Sequence, residues 1–146
     1  GKMRNTLMAG AYQEYRKQLL PEVLACYHEL CESADIVLVE GVGGVMVPLN
    51  DEYTTLDWMS ALGWPVILVG GTYLGALSHT LSALKALESR DISVHSLIIS
   101  ESDKGATSLT ETITSLANFL PKSLSIIALP RQNAGSETPD LSVMCV

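Results

Sequence analysis

Residues 35–49 read DIVLVEGVGGVMVPL, and the fold turns on how that stretch is taken. Its apolar run, Ile36 to Val39, ends in an acid, Glu40, and Gly41, Gly43 and Gly44 follow directly. An unbroken run of this kind predicts a strand buried in a parallel sheet. Glu40 then stands at the strand's carboxyl end, where open α/β sheets bind their ligands. Glycines there let the backbone turn sharply and approach a ligand closely. A carboxylate facing a phosphate needs a cation between them. Mg²⁺ is the usual one, held by one or two carboxylates together with phosphate oxygens. The same residues also fit a strand that ends in a glycine turn with a solvated acid, and the residues alone leave both readings open.

Upstream, Leu20, Val23, Leu24, Tyr27, Leu30 and Cys31 recur at helical spacing. Pro21 suits the first position of a helix better than its interior. The pattern therefore predicts a short helix near 11–19 and a firmer one at 21–32, with Tyr27 and Cys31 in the core. His28, Cys26 and Cys31 share that second helix without the spacing of a metal site.

Downstream, a polar loop at 50–53 leads to Thr54-Thr55-Leu56-Asp57, which has the form of a capping box and predicts a helix over 55–62. Gly63-Trp64-Pro65 breaks it before a second strand, 66–69. That strand runs into GGTYLG at 70–75 and a helix whose expected stripe is Leu74, Leu77, Leu81, Leu84 and Leu87, closing at 89–91. Strand, glycine turn and helix N-terminus suit an anion. They equally suit a helix packed closely on its strand through Gly75. A third strand, 96–100, precedes a helix over 107–120 with a second capping-box pattern, Ser108 to Glu111, and an apolar stripe of Leu109, Ile113, Leu116 and Leu120. A last strand, 125–129, runs into Pro130-Arg131-Gln132, and the tail from 134 reads as loop. Strands alternating with helices over short connections mean a mostly parallel sheet flanked by helices. One α/β domain over 1–146 is expected.

The balance of the 146 residues is 47% hydrophobic with a formal net charge of −7, which fits a globular chain and argues against a nucleic-acid or anionic-membrane surface. Cys26, Cys31 and Cys145 are odd in number and read as free thiols of a reducing compartment. There is no apolar run of membrane-spanning length, and a cytoplasmic protein is expected.

Four blocks in order carry a resemblance: VLVEGVGG with VPL (37–44 and 47–49), TLDW (55–58), PVILVGGTYLGALSHTL (65–81) and ALP (128–130). Together they resemble the dethiobiotin synthetases, of the P-loop family that includes the cobyrinate and cobyrate amidotransferases, over about residues 35–137. The cobyrinate-type relatives follow the VEG with a Ser-Pro continuation that is absent here. The resemblance implies a P-loop NTPase-like three-layer α/β fold and an ATP- and Mg²⁺-dependent ligase of the cytoplasm, a homodimer. Such an enzyme carboxylates 7,8-diaminopelargonic acid with CO₂. The carbamate oxygen attacks the γ-phosphate, and the mixed anhydride cyclises to the ureido ring of dethiobiotin.

Carried over position by position, the resemblance implies Glu40 as the Mg²⁺ ligand and Gly41, Val42 and Gly43 along the phosphates. Ser100, Glu101, Pro130, Arg131, Gln132 and Glu137 fall where the family contacts the nucleotide. The family commonly has Asn at the position of Ser100. Leu74, Gly75, Ala76, Leu77 and Ser78 match the helix start that receives the substrate's carboxylate, across a dimer interface. His79 matches a frequent family histidine and reads as packing.

The family's phosphate loop, GxxxxGK[ST], with its catalytic lysine, has no match in the chain: Lys2, Lys17, Lys85, Lys104 and Lys122 all stand in other settings. No catalytic residue is therefore assigned. The chain is expected to be the C-terminal part of a longer synthetase, inactive alone, because phosphoryl transfer depends on that cradle. Two other functions fit the same residues less well: a non-catalytic regulatory or binding domain of this fold, and an amidotransferase fragment, which needs a nucleophilic cysteine context that Cys145 lacks.

Overall fold

The computed structural model describes residues 20–132. The expected helix at 11–19, the tail with Cys145, and Glu137 lie outside the described residues. The chain divides into two compact units, Gly1–Gly63 and Trp64–Val146.

The first unit holds helices α1 (Leu20–Ser33) and α2 (Thr55–Leu62). They pack on each other through Tyr27 and Trp58, whose ring centroids are 5.6 Å apart. Both rings are buried, as the helical spacing predicts for Tyr27. Cys31, expected in the core beside it, is exposed instead. Cys31 lies one turn beyond Tyr27 on the same side of the helix, so the spacing is that of one face, but the burial does not extend to it. The α2 capping box forms as read: Asp57 N–H donates to Thr54 Oγ1, and Thr54 N–H donates to the Asp57 carboxylate at 2.8 Å. Gly63 ends the helix at φ +65°, a left-handed cap that glycine adopts without strain.

The expected strand at 36–39 forms no ladder among the described residues. A strand's N–H and C=O groups need a neighbouring strand, and the described residues of this unit include none. Ile36 and Leu38 stay 46% and 54% exposed, so the segment keeps the composition of a buried strand without its burial.

The second unit is a three-stranded parallel sheet in the order β1-β2-β3: β1 (Val66–Gly71), β2 (Val94–Ser100) and β3 (Ser125–Leu129). Helix α3 (Ala76–Glu88) connects β1 to β2, and α4 (Leu109–Ala117) connects β2 to β3. Helix α3 packs on β1, α4 packs on β2 and β3, and the helices touch each other, so both cover one face of the sheet. The register pairs Leu68 with Leu97, Gly70 with Ile99, Leu97 with Ile126 and Ser100 with Leu129. Leu87, Leu97, Ile99 and Leu116 are fully buried. Each such side chain contributes about 1.5–3 kcal/mol by leaving water.

Close approach sets the face that α3 turns inward. A Cβ on Gly70 would lie 2.7 Å from Thr80 Oγ1 and 3.1 Å from Ile99 Cδ1, so only glycine lets α3 sit this near β1. The inward face of α3 is accordingly Ala76, Thr80 and Leu87. The expected leucine stripe holds at Leu87 and, half-buried, at Leu81 and Leu84, while Leu74 and Leu77 are exposed. Leu74 precedes the first turn of α3 and so lies outside the helix that the stripe assumed. Helix α4 starts two residues later than expected because Ser108 is its N-cap. No helix among the described residues is long and apolar enough to cross a membrane.

Candidate functional site

In the first unit, Glu40 is exposed and opens the glycine turn. Gly43 has φ +78°, and a Cβ there would lie 2.9 Å from Val47 Cγ2. The turn folds onto the start of α2. Thr55 N–H donates to the Val47 carbonyl at 2.9 Å, and a Cβ on Gly41 would meet the Thr55 methyl at 3.0 Å. Val42 is exposed on this turn. Beyond it, Asn50 Oδ1 accepts from the N–H groups of Glu52 and Tyr53, which closes the polar loop. Among the described residues, no three His, Cys, Asp or Glu side chains gather to hold a metal. Glu40 offers one exposed carboxylate beside glycines. That donor set fits a Mg²⁺ ion whose other ligands are waters and phosphate oxygens, and does not fit an all-protein cage.

In the second unit, the remaining candidate segments leave the carboxyl ends of three adjacent parallel strands: 72–78 after β1, 101–103 after β2 and 130–132 after β3. That edge is where ligands bind in open α/β sheets. Gly75, at φ +91°, is the N-cap of α3 and contributes no side-chain cap. The first α3 amides are therefore left to other partners, apart from Ala76 N–H, which donates to Tyr73 O at 3.0 Å. Tyr73 Oη lies 3.1 Å from His79 Nδ1, so the two side chains bridge the turn that Gly75 makes. His79 is exposed, and it keeps the structural role its setting predicts by meeting the Tyr73 ring, with centroids 5.6 Å apart. Ala76 is buried, while Leu74, Leu77 and Ser78 are exposed.

The β2 and β3 ends are tied together. Glu101 N–H donates to Leu129 O at 2.9 Å, and the Glu101 carboxylate accepts from Arg131 N–H at 3.0 Å. The Arg131 guanidinium reaches Asp103 at 3.2 Å. Ser100 is half-buried at the end of the β2 ladder, and Gln132 Nε2 donates to the Pro130 carbonyl at 3.1 Å. The structure thus brings Ser100, Glu101, Pro130, Arg131 and Gln132 to one edge of the sheet, with the turn 74–78 on the neighbouring strand end.

Two residues that the sequence reading did not single out join the β1 end to the β2 end. Thr72 N–H donates to Ser102 Oγ at 3.1 Å, and Ser102 N–H donates to Thr72 Oγ1 at 3.0 Å. Their separation of 30 residues hides the pair from any local pattern. The available signal is a small hydroxyl residue just past the end of each of two neighbouring strands.

A family model described as an AAA domain matches residues 7–132. The chain is similar to the ATP-dependent dethiobiotin synthetase BioD of Phenylobacterium zucineum (strain HLK1), with 51% identity over 55% of this chain and 35% of that protein. It is also similar to the enzymes of the same name from Acidiphilium cryptum (strain JF-5), 43% identical over 67% of this chain and 44% of that protein, and Caulobacter vibrioides (strain NA1000 / CB15N), 46% identical over 66% and 43%. The matched part of the chain thus spans 35–44% of the length of these relatives.

Proposed function

The chain belongs to the AAA domain family, and on that footing we propose that it is the C-terminal part of an ATP- and Mg²⁺-dependent ligase that forms dethiobiotin from 7,8-diaminopelargonic acid and CO₂. The observation that carries this reading is the shared edge of the sheet. Three candidate segments leave the carboxyl ends of adjacent parallel strands, and Glu101 and Arg131 tie two of them together. Similarity at 43–51% identity to proteins named as ATP-dependent dethiobiotin synthetases supports the choice of chemistry.

In this reading, Ser100, Glu101 and 130–132 hold the base of the nucleotide, and Glu137 is a further nucleotide contact. Gly41, Val42 and Gly43 line the phosphates. Backbone groups of Leu74 to Ser78 at the start of α3 receive the carboxylate of the diamine through the N–H groups other than that of Ala76, which is engaged with Tyr73 O, and there the helix dipole favours negative charge. Glu40 holds Mg²⁺, which supplies charge neutralisation on the phosphates. The residues of this chain bind and orient, because phosphoryl transfer asks for positioning and electrostatics more than covalent help. The phosphate cradle and its lysine come from a preceding segment, the enzyme works as a cytoplasmic homodimer, and the 146-residue chain alone is inactive.

The test is dethiobiotin formation by the protein read from the gene upstream of Gly1. A strand followed by GxxxxGK[ST] in frame, with MgATP-dependent product, is the expected result. Glu40→Gln then abolishes Mg²⁺-dependent turnover with the thermal midpoint unchanged, and undiminished turnover in that variant removes the metal assignment. Absence of any nucleotide affinity in the longer protein replaces the ligase reading with a binding domain.

A further inference from the structure

Thr72 is fully buried, and all three of its polar backbone and side-chain groups that face the β2 end are engaged. Besides the two-way pair with Ser102, its carbonyl accepts from Ala106 N–H at 2.8 Å and from Thr107 N–H at 3.5 Å. The space around it is closed: a Cβ on Gly105 would lie 2.7 Å from Thr72 Oγ1, and a Cβ on Gly71 would lie 3.0 Å from Ser102 Oγ. The loop 101–106 is thus held by Thr72 on its β1 side, and Glu101 and Asp103 hold it to Arg131 on its β3 side. Tyr73, next to Thr72, accepts the first backbone hydrogen bond of α3 and meets His79. A shift of Ser102 therefore reaches the start of α3 through one residue.

We propose that Thr72 and Ser102 are positioning residues, whose reciprocal hydrogen bonds make the β1–α3 turn and the loop after β2 move as one body, so that ordering of either segment orders the other. This rests on the ligase reading for its consequence: the nucleotide contacts lie on the loop side and the diamine contacts on the turn side, so each ligand tightens the other. Such coupling is reciprocal and has the same factor in both directions.

Two measurements test this on Thr72→Val, Thr72→Ser and Ser102→Ala. The first is amide hydrogen exchange of the unliganded protein. Ser102→Ala is expected to speed exchange several-fold at Ala76 and His79, 26 and 23 residues away in sequence, above the change seen in β3. Exchange there that rises no more than in β3 overturns the clasp. The second is titration of the longer protein with MgATP, with and without 7,8-diaminopelargonic acid. The unsubstituted protein is expected to show a mutual tightening of about fivefold or more. Thr72→Val and Ser102→Ala bring that factor close to one, and Thr72→Ser, which keeps the hydroxyl, restores it. A lower thermal midpoint with the coupling factor unchanged means a purely structural pair and overturns the proposal. An unsubstituted protein that binds neither ligand overturns the ligase reading alone, and the exchange result then decides the clasp by itself.

Discussion

Asp91 is the one non-glycine among the described residues with positive φ, +54°, and it sits where α3 hands the chain to β2. Ile92 N–H returns to the Leu87 carbonyl at 3.1 Å across it, which closes the helix end. Aspartate tolerates the left-handed region because its short polar side chain bonds locally, whereas a β-branched residue does not. Asp91→Val is therefore expected to cost about 1–2 kcal/mol, and Asp91→Gly to cost nothing or to stabilise. Urea unfolding decides it: the midpoint falls for valine alone, with the slope unchanged. Glu111 carries a different kind of prediction. The Ser108 hydroxyl and then the Ser108 N–H, both donating to Glu111 Oε2, hold its carboxyl below the ordinary glutamate value. A folded pKa below the unfolded one means that the contribution is complete above the unfolded value. It is lost as pH falls through the folded value. The acid side of a stability-against-pH profile is expected to be shallower in Glu111→Gln, and an unchanged slope rules out this capping box as a source of acid sensitivity.

Elements whose signal is local were legible in the sequence. Both capping boxes form at the residues read, because Thr54 with Asp57 and Ser108 with Glu111 satisfy helix N–H groups within one turn. The strands beginning at Val66 and ending at Ser100 and Leu129 also appear where the apolar runs place them. The α3 stripe was only partly legible. Its inward face is set by a contact 10 residues apart in sequence, Gly70 against Thr80, that no periodicity announces. Strand 36–39 was misread for a related reason: composition marks a segment as able to join a sheet but does not supply the neighbour. These differences give a packing prediction. Leu116 is fully buried and Leu74 is 87% exposed, although both belong to expected apolar stripes. Leu116→Ala is expected to cost about 2–5 kcal/mol, and Leu74→Ala to stay within about 0.5 kcal/mol. Equal losses in the two variants would return Leu74 to the core.

At the scale of the whole molecule, the candidate site was legible as strand ends and illegible as a network. Glycine turns after apolar runs pointed to Glu40 and to the turn before α3, and only the family resemblance pointed to 100–101, whereas the bonds of Thr72 to Ser102 and of Arg131 to Glu101 each span 30 residues and arise only once the strands lie side by side. The same sheet explains how the protein should behave in solution. With the order β1-β2-β3, β1 and β3 both keep a free edge among the described residues. A free edge presents unpaired N–H and C=O groups and templates pairing with another chain unless charge or proline blunts it. Neither strand contains Lys, Arg, Asp, Glu or Pro. The two edges differ in what stands beside them: Val69 on β1 is 61% exposed, whereas the exposed positions of β3 are Ser125 and Ala128. Apolar area adds to the backbone template on β1 alone, so association is expected to run through that edge. Sedimentation velocity over a dilution series should show concentration-dependent association. Val69→Lys should weaken it strongly by placing a charge on the edge, and Ala128→Lys should leave it nearly intact. The reverse order of effects assigns the contact to β3, and association untouched by either lysine places it away from this sheet.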